Sequence, residues 1–130
     1  MDLNILIVDD SAAIRKILVR LLSQTDLPIK QVHEASDGLE AFKIVEANDI
    51  SLVLSDINMP NLDGLALLTK LRAAPKWKQL PVVMITTEGS QSKVMEAVQL
   101  GAQGYVRKPF TAEQIKKKVL ACLKLEEPKR

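Results

Sequence analysis

Five short strand-like runs alternate along this chain with five segments of helical period, and that alternation confines it to a parallel sheet whose crossover helices cover both faces. The strand segments are Ile5–Val8, Val32–Ala35, Leu52–Leu54, Val82–Ile85 and Gly104–Val106. The first, third and fourth are unbroken apolar runs, as central strands buried on both sides require. Gln31-Val32-His33-Glu34-Ala35 alternates instead, and the fifth run is brief, so these two belong at the sheet edges.

The first helix carries Ile14, Ile17, Leu18, Leu21 and Leu22 as an apolar stripe, with Arg15, Lys16 and Arg20 on the other face. Asp37-Gly38-Leu39-Glu40 reads as a capping box opening the second helix, and Thr111-Ala112-Glu113-Gln114 repeats the device before the fifth. Leu67, Leu68 and Leu71 mark a third helix ending near Ala74-Pro75, and Val94, Ala97, Val98 and Gly101 mark a fourth. Phe42 and Cys122 are core positions by spacing, and Trp77 falls in the loop before the fourth strand. At 130 residues the chain makes one domain, expected over 1–125, with a loose polar tail at 126–130 and no output domain after it. Any output must then be binding.

Composition removes several classes of function. The 18 Lys and Arg against 16 Asp and Glu leave a net charge of +2 without long like-charge blocks, so nucleic acid is not an expected partner. No apolar stretch approaches the ~18 residues of a membrane span and no secretory leader opens the chain, so no membrane partner is expected and the cytoplasm is the default location. Cys122 and His33 each stand alone, which excludes a disulfide framework or a zinc cluster.

In an open parallel sheet, ligands bind beyond the carboxyl ends of the strands where strand order reverses. The first strand ends in Asp9-Asp10, the third in Asp56, the fourth in Thr86-Thr87, and the fifth runs through Arg107 into Lys108-Pro109. With strand order 2-1-3-4-5, Asp9, Asp10 and Asp56 meet. Two carboxylates ~5 Å apart repel by about 3 kcal/mol at an effective dielectric of ~20, so three mutual pairs cost on the order of 10 kcal/mol. Protonation would relieve this; so would a divalent cation, with Lys108 adding a fixed positive charge. The cation is the preferred reading, and all-oxygen ligation with room for water and phosphate favours magnesium, with manganese a substitute. Singly, each acid is explained as a helix cap; their convergence with a hydroxyl and a Lys-Pro is not. A calcium loop beginning at Asp56 fails, because Asn61 and Leu67 stand where glycine and a bidentate Glu are needed. A flavin site fails because Asp9-Asp10 would repel its phosphate.

These residues resemble the receiver domain of bacterial response regulators, in particular the stand-alone chemotaxis (CheY) type, over nearly the whole chain. The motifs that carry the resemblance are Asp9-Asp10 after Ile5-Leu6-Ile7-Val8, Asp56-Ile57-Asn58-Met59-Pro60 with Asp63-Gly64, Thr86, Tyr105 and Lys108-Pro109-Phe110. It implies a flavodoxin-like, doubly wound α/β fold. Asp56 would be the phosphoacceptor, and Asp10, Asp56 and the Asn58 carbonyl would bind Mg2+, with Asp9 reaching it through water. Thr86 and Lys108 would hold the phosphoryl oxygens, and Lys108-Pro109 would be a cis peptide. The phosphoryl donor would be a sensor histidine kinase (CheA-like). Thr86 would move toward the phosphoryl group, Tyr105 would turn inward, and a downstream target protein would bind the face of helix 4, strand 5 and helix 5. Asn58 and Glu88 would tune dephosphorylation toward a short-lived signal.

The chain is thus expected to be a switch that catalyses only its own phosphorylation and dephosphorylation, in chemotaxis or motility. The alternative is a phosphorelay intermediate that passes its phosphate to a histidine phosphotransfer protein. A haloacid-dehalogenase-type phosphatase would need a second Asp where Asn58 stands, and a degenerate docking receiver would not need an intact site. Ile57 replaces the family's frequent tryptophan, Thr87 a smaller residue, and Gly89-Ser90-Gln91-Ser92 lacks the lysines common in flagellar-motor regulators. Lys116, Lys117, Lys118 and Arg107 read as a solvated helix face in preference to a basic docking patch.

Overall fold

The computed structural model describes residues 2–86 and 91–123. Five strands, β1 (Leu3–Val8), β2 (Ile29–Ala35), β3 (Leu52–Asp56), β4 (Val82–Thr86) and β5 (Gly104–Arg107), alternate with helices α1 (Ala12–Ser23), α2 (Gly38–Ala47), α3 (Gly64–Ala73), α4 (Gln91–Gln99) and α5 (Ala112–Leu123). The strands form one parallel sheet in the order β2-β1-β3-β4-β5, the flavodoxin-like arrangement expected, with β2 and β5 at its edges. Each strand exceeds its sequence-based bounds by one to three residues, because polar residues such as Gln31 and Asp56 still pair with a neighbour when their side chains lie at an edge or rim.

Side-chain alternation divides the core in two. Ile5 and Ile7 of β1, Leu52 and Leu54 of β3, and Val83 and Ile85 of β4 face α1 and α5, where Leu18, Leu22, Ile115 and Val119 cover them. Leu6, Val8, Val53, Val82 and Met84 face the other way, against Ala41 and Val45 of α2, Leu67, Leu68 and Leu71 of α3, and Ala97 of α4. The central strands are therefore apolar on both sides, which is why their sequences run unbroken.

Helix starts follow their caps. Ser11 accepts the Ile14 N–H, Asp37 the Glu40 N–H and Asp63 the Ala66 N–H, each supplying an oxygen to a first-turn donor. Thr111 and Gln114 cap each other reciprocally, as predicted. Glu40 reaches the Ser36 N–H and not that of Asp37, so the box before α2 is one residue wider than expected.

Several expected core positions are exposed. Ile17 is 47% exposed and Val98 54%, so the apolar stripes of α1 and α4 are narrower than their sequences suggest. Cys122 is only partly buried beside the core, and Trp77 closes a 3-10 turn (Pro75–Trp77) with its ring edge-on to Phe42 at 5.3 Å. Lys116 overturns its reading as a solvated residue: it is 6% exposed and its ammonium lies 2.8 Å from Asp26 Oδ1, pinning α5 to the segment after α1. Pairing with a carboxylate offsets part of the desolvation cost of burying the lysine, which an unpaired cation would bear in full.

Gly64 starts α3 where the helix crosses directly over β3. A Cβ there would stand 2.2 Å from the Asp56 carbonyl oxygen, and the Gly64 N–H donates to the Ile57 carbonyl at 2.8 Å. Gly64→Ala is therefore expected to destabilise the fold by about 1–3 kcal/mol, because backbone and not a flexible side chain must move. Urea unfolding of the variant against the parent measures it.

Candidate functional site

The register of the sheet assembles the site. Val8 pairs with Ser55, so the next residues, Asp9 and Asp56, leave β1 and β3 side by side. Asp56 in turn pairs with Ile85, which places Thr86 one residue beyond it on β4, and Thr86 pairs with Arg107 immediately before Lys108. Four strands thus end in polar groups at one rim.

Carboxylate oxygens of Asp9, Asp10 and Asp56 lie within 4.8 Å of one another. Asp9 is buried at 2% exposure, Asp56 is partly buried and Asp10 is exposed, so the notch opens to solvent on the Asp10 side. The Lys108 ammonium spans the acids, 3.4 Å from Asp9 Oδ2 and 3.8 Å from Asp56 Oδ2. The Lys108–Pro109 peptide is cis. Asp56 Oδ1 accepts the Ile57 N–H at 2.8 Å and Asp9 Oδ1 accepts the Ser11 N–H at 2.8 Å, so one oxygen of each acid is tied to backbone. Thr86 is buried at the end of β4.

Burial pushes the Asp56 carboxyl above the usual carboxylate range. Asp9 and Asp10 add to the rise, while Lys108 and the Ile57 N–H oppose it. One lysine does not balance three acids, and three oxygen donors at this spacing could hold a hard divalent cation such as magnesium.

The loop after β3 is held from two sides. Asn61 adopts a positive φ of 65°, a conformation its short amide tolerates, and donates to Asp37 Oδ2 at 2.7 Å. The Gly38 N–H meets the Leu62 carbonyl at 2.8 Å, and a Cβ on Gly38 would lie 2.5 Å from that oxygen, so α2 and the loop touch through backbone. The Glu40 N–H and then the Asn61 amide hold the Asp37 carboxyl below its ordinary range.

All the predicted acids, Lys108 and Thr86 reach this rim. Tyr105 lies apart from it, 43% exposed on the outer part of β5, while Val106 is buried, as strand alternation requires. Asn58 lies in the loop after β3, where its side chain accepts from Lys93 of α4. Thr87, Glu88, Gly89 and Ser90 and the tail at 126–130 fall outside the described residues.

Two side chains around the site were not anticipated. Arg15, read as part of a solvated helix face, donates to the Asp9 carbonyl at 2.6 Å and to Glu34 at 3.1 Å, bracing the turn that carries the acids. Its placement five residues past Asp10, one turn into α1, was the available signal. Lys93 sits in a polar stretch with no motif to mark it.

Comparison with known proteins agrees with this geometry. A family model described as the response regulator receiver domain matches residues 5–120. The chain is 42% identical to chemotaxis protein CheY-3 of Vibrio cholerae, over 91% of this chain and 89% of that protein. It is 40% identical to chemotaxis protein CheY1 of Helicobacter pylori, over 93% and 97%. Among solved structures it resembles the chemotaxis response regulator CheY4 of Vibrio cholerae, with TM-score 0.84 and 32% identity over 95% of this chain and 100% of that one. A putative response regulator from Chloroflexus aurantiacus gives TM-score 0.88 at 28% identity, over 95% and 99%.

The raised Asp56 has a consequence for stability. A carboxyl whose folded pKa exceeds its unfolded value favours the fold below the unfolded pKa, and that contribution is lost as pH rises through the folded pKa. At pH 7, ionised Asp56 therefore weakens the folded state. Asp56→Asn is expected to gain on the order of 1 kcal/mol there, a rise of a few degrees in Tm in metal-free buffer, and to lose the gain toward pH 4. Thermal melts across that range check the sign.

Proposed function

The chain belongs to the response regulator receiver domain family, and from that premise we propose that it is a CheY-type phosphorylation switch whose phosphoacceptor is Asp56. Members of this family are signalling switches and not metabolic enzymes, and the similarity to chemotaxis regulators supports a role in chemotaxis. The observation that carries the residue assignment is the notch itself: three carboxylates within 4.8 Å, two of them, Asp9 and Asp56, bridged by Lys108, at the carboxyl end of a parallel sheet.

A carboxylate oxygen of Asp56 forms a bond to phosphorus as the P–N bond of a phosphohistidine on the donor kinase breaks, and the leaving imidazole takes up a proton. In a loose transition state, charge gathers on the phosphoryl oxygens, so positioning and counter-charge do most of the catalysis. Lys108 already faces Asp56 and follows that charge with little reorganisation. The Thr86 hydroxyl donates to a phosphoryl oxygen. Asp10, Asp56 and the Asn58 carbonyl would hold Mg2+ directly, and Asp9 through water; when bound, the ion supplies the hard positive charge that the acid notch lacks. The partner supplying phosphate is a sensor histidine kinase of the CheA-like class. The polar residues Asn58 and Glu88 tune dephosphorylation toward a short-lived signal.

The output is a protein target bound at the face of α4, β5 and α5. Because the phosphoryl group contacts this face only indirectly, its effect is a population shift, bounded by how differently it interacts with the two states of Thr86 and Tyr105.

Incubation with radiolabelled acetyl phosphate tests the reaction. Uptake is expected with magnesium, lost with chelator and lost in Asp56→Asn; uptake that persists in that variant would remove Asp56 from its role. Label that moves on to a histidine phosphotransfer protein instead of hydrolysing would indicate the relay role. Thr86→Ala is expected to take label yet bind the activated-state target at least tenfold more weakly, about 1.4 kcal/mol, by calorimetry on the beryllofluoride-loaded protein. Undiminished affinity would refute the coupling.

A further inference from the structure

Tyr105 is the single tyrosine of the chain, and it stands 43% exposed on the edge strand. One side chain of α5 engages both it and the residue before it. The Lys118 ammonium lies over the Tyr105 ring, 5.8 Å from its centroid. The same lysine's stem packs on Gly104: a Cβ at that glycine would stand 2.9 Å from Lys118 Cδ and 3.5 Å from Cys122 Sγ. Gly104 and Val106 face α5, whereas Tyr105 points the other way, so Lys118 reaches round the margin of β5 to place its charge on the outward ring. Glycine at position 104 is what leaves room for that path.

We infer that Lys118 is a positioning residue that holds Tyr105 in its exposed rotamer, so that α5 as well as the acid notch sets the balance between outward and inward ring. The inference rests on the reading of Tyr105 as the reporter of the switch. The quadrupole of the ring attracts the ammonium only while the ring lies beneath it, so the contact belongs to one of the two states and biases the equilibrium toward that state. At an exposed site the bias is about two- to fivefold in the ratio of outward to inward ring. Phosphorylation must exceed it to turn the ring, which lowers background signalling.

Because the chain has one tyrosine, the full-length protein grown with 3-fluorotyrosine gives one fluorine resonance, and its solvent isotope shift in D2O reports ring exposure directly. In the resting protein, Lys118→Met keeps the stem and removes the charge, and it is expected to move the ratio inward about two- to fivefold. Lys118→Arg, which keeps the charge, is expected to restore the parent value. Gly104→Ala, which leaves Lys118 in place but displaces its flexible stem, is expected to shift the signal in the same direction as Lys118→Met. A resonance in Lys118→Met and Gly104→Ala indistinguishable from the parent would overturn the inference. A wild-type resonance that does not respond to beryllofluoride and magnesium would overturn Tyr105 as reporter instead, so the two failures are distinguishable.

Discussion

Negative charge concentrated at one end of a parallel sheet is the constraint on which this molecule turns. Parallel pairing of β1 with β3 sets Asp9 beside Asp56, and the tight turn into α1 adds Asp10. The fold thereby accepts a repulsion it could have avoided with neutral residues, and Lys108, arriving from β5 across the sheet, offsets only part of it. Burial and the two neighbouring acids keep Asp56 easier to protonate than an ordinary aspartate. Such a site is most stable when additional positive charge arrives, which is the electrostatic condition for binding a dication and then a phosphoryl group.

Holding mutually repelling groups in place requires rigid surroundings, and the local structure supplies them through backbone. Ser11 and Ile57 give N–H groups to Asp9 and Asp56, Arg15 grips the Asp9 carbonyl, and Gly64 lets α3 start against the Asp56 carbonyl. The Asp37–Asn61 bond and the Gly38–Leu62 contact fix the loop that carries Asn58. None of these contacts uses the outer oxygens that face the notch from Asp9 and Asp56 toward Lys108.

The unbroken apolar runs of β1, β3 and β4 made the sheet legible, because burial on both faces leaves no polar position to confuse the period. Strand order then located the acids, since each lies directly after a run whose end is well defined. Helix surfaces were less legible. Ile17 and Val98 satisfy the helical period and are nonetheless exposed, because periodicity reports which face can be buried and not how far a neighbouring element reaches across it. Lys116 fails in the opposite sense: a charge in a run of lysines reads as solvated, and only the tertiary approach of Asp26 gives it a buried partner. Lys93 was missed for the same reason, as it gains meaning from Asn58, distant in sequence, whereas Arg15 carried only the weak signal of its spacing from Asp10 toward a backbone carbonyl.

Under the proposed switch, a charge at the notch needs a mechanical route to a partner at β5. Lys108 and Tyr105 are three residues apart, yet the ammonium of one reaches the acid notch while the ring of the other is 43% exposed on the outer surface. Direct electrostatic influence at the outer face is weakened by solvent and salt over about 10 Å. What remains is packing: Thr86 of β4 pairs with Arg107 of β5, which makes the β4–β5 edge the short path between the two groups. The proposed division of labour would follow from the position of β5 in the sheet, with Val106 buried against the core and Tyr105 on the exposed face.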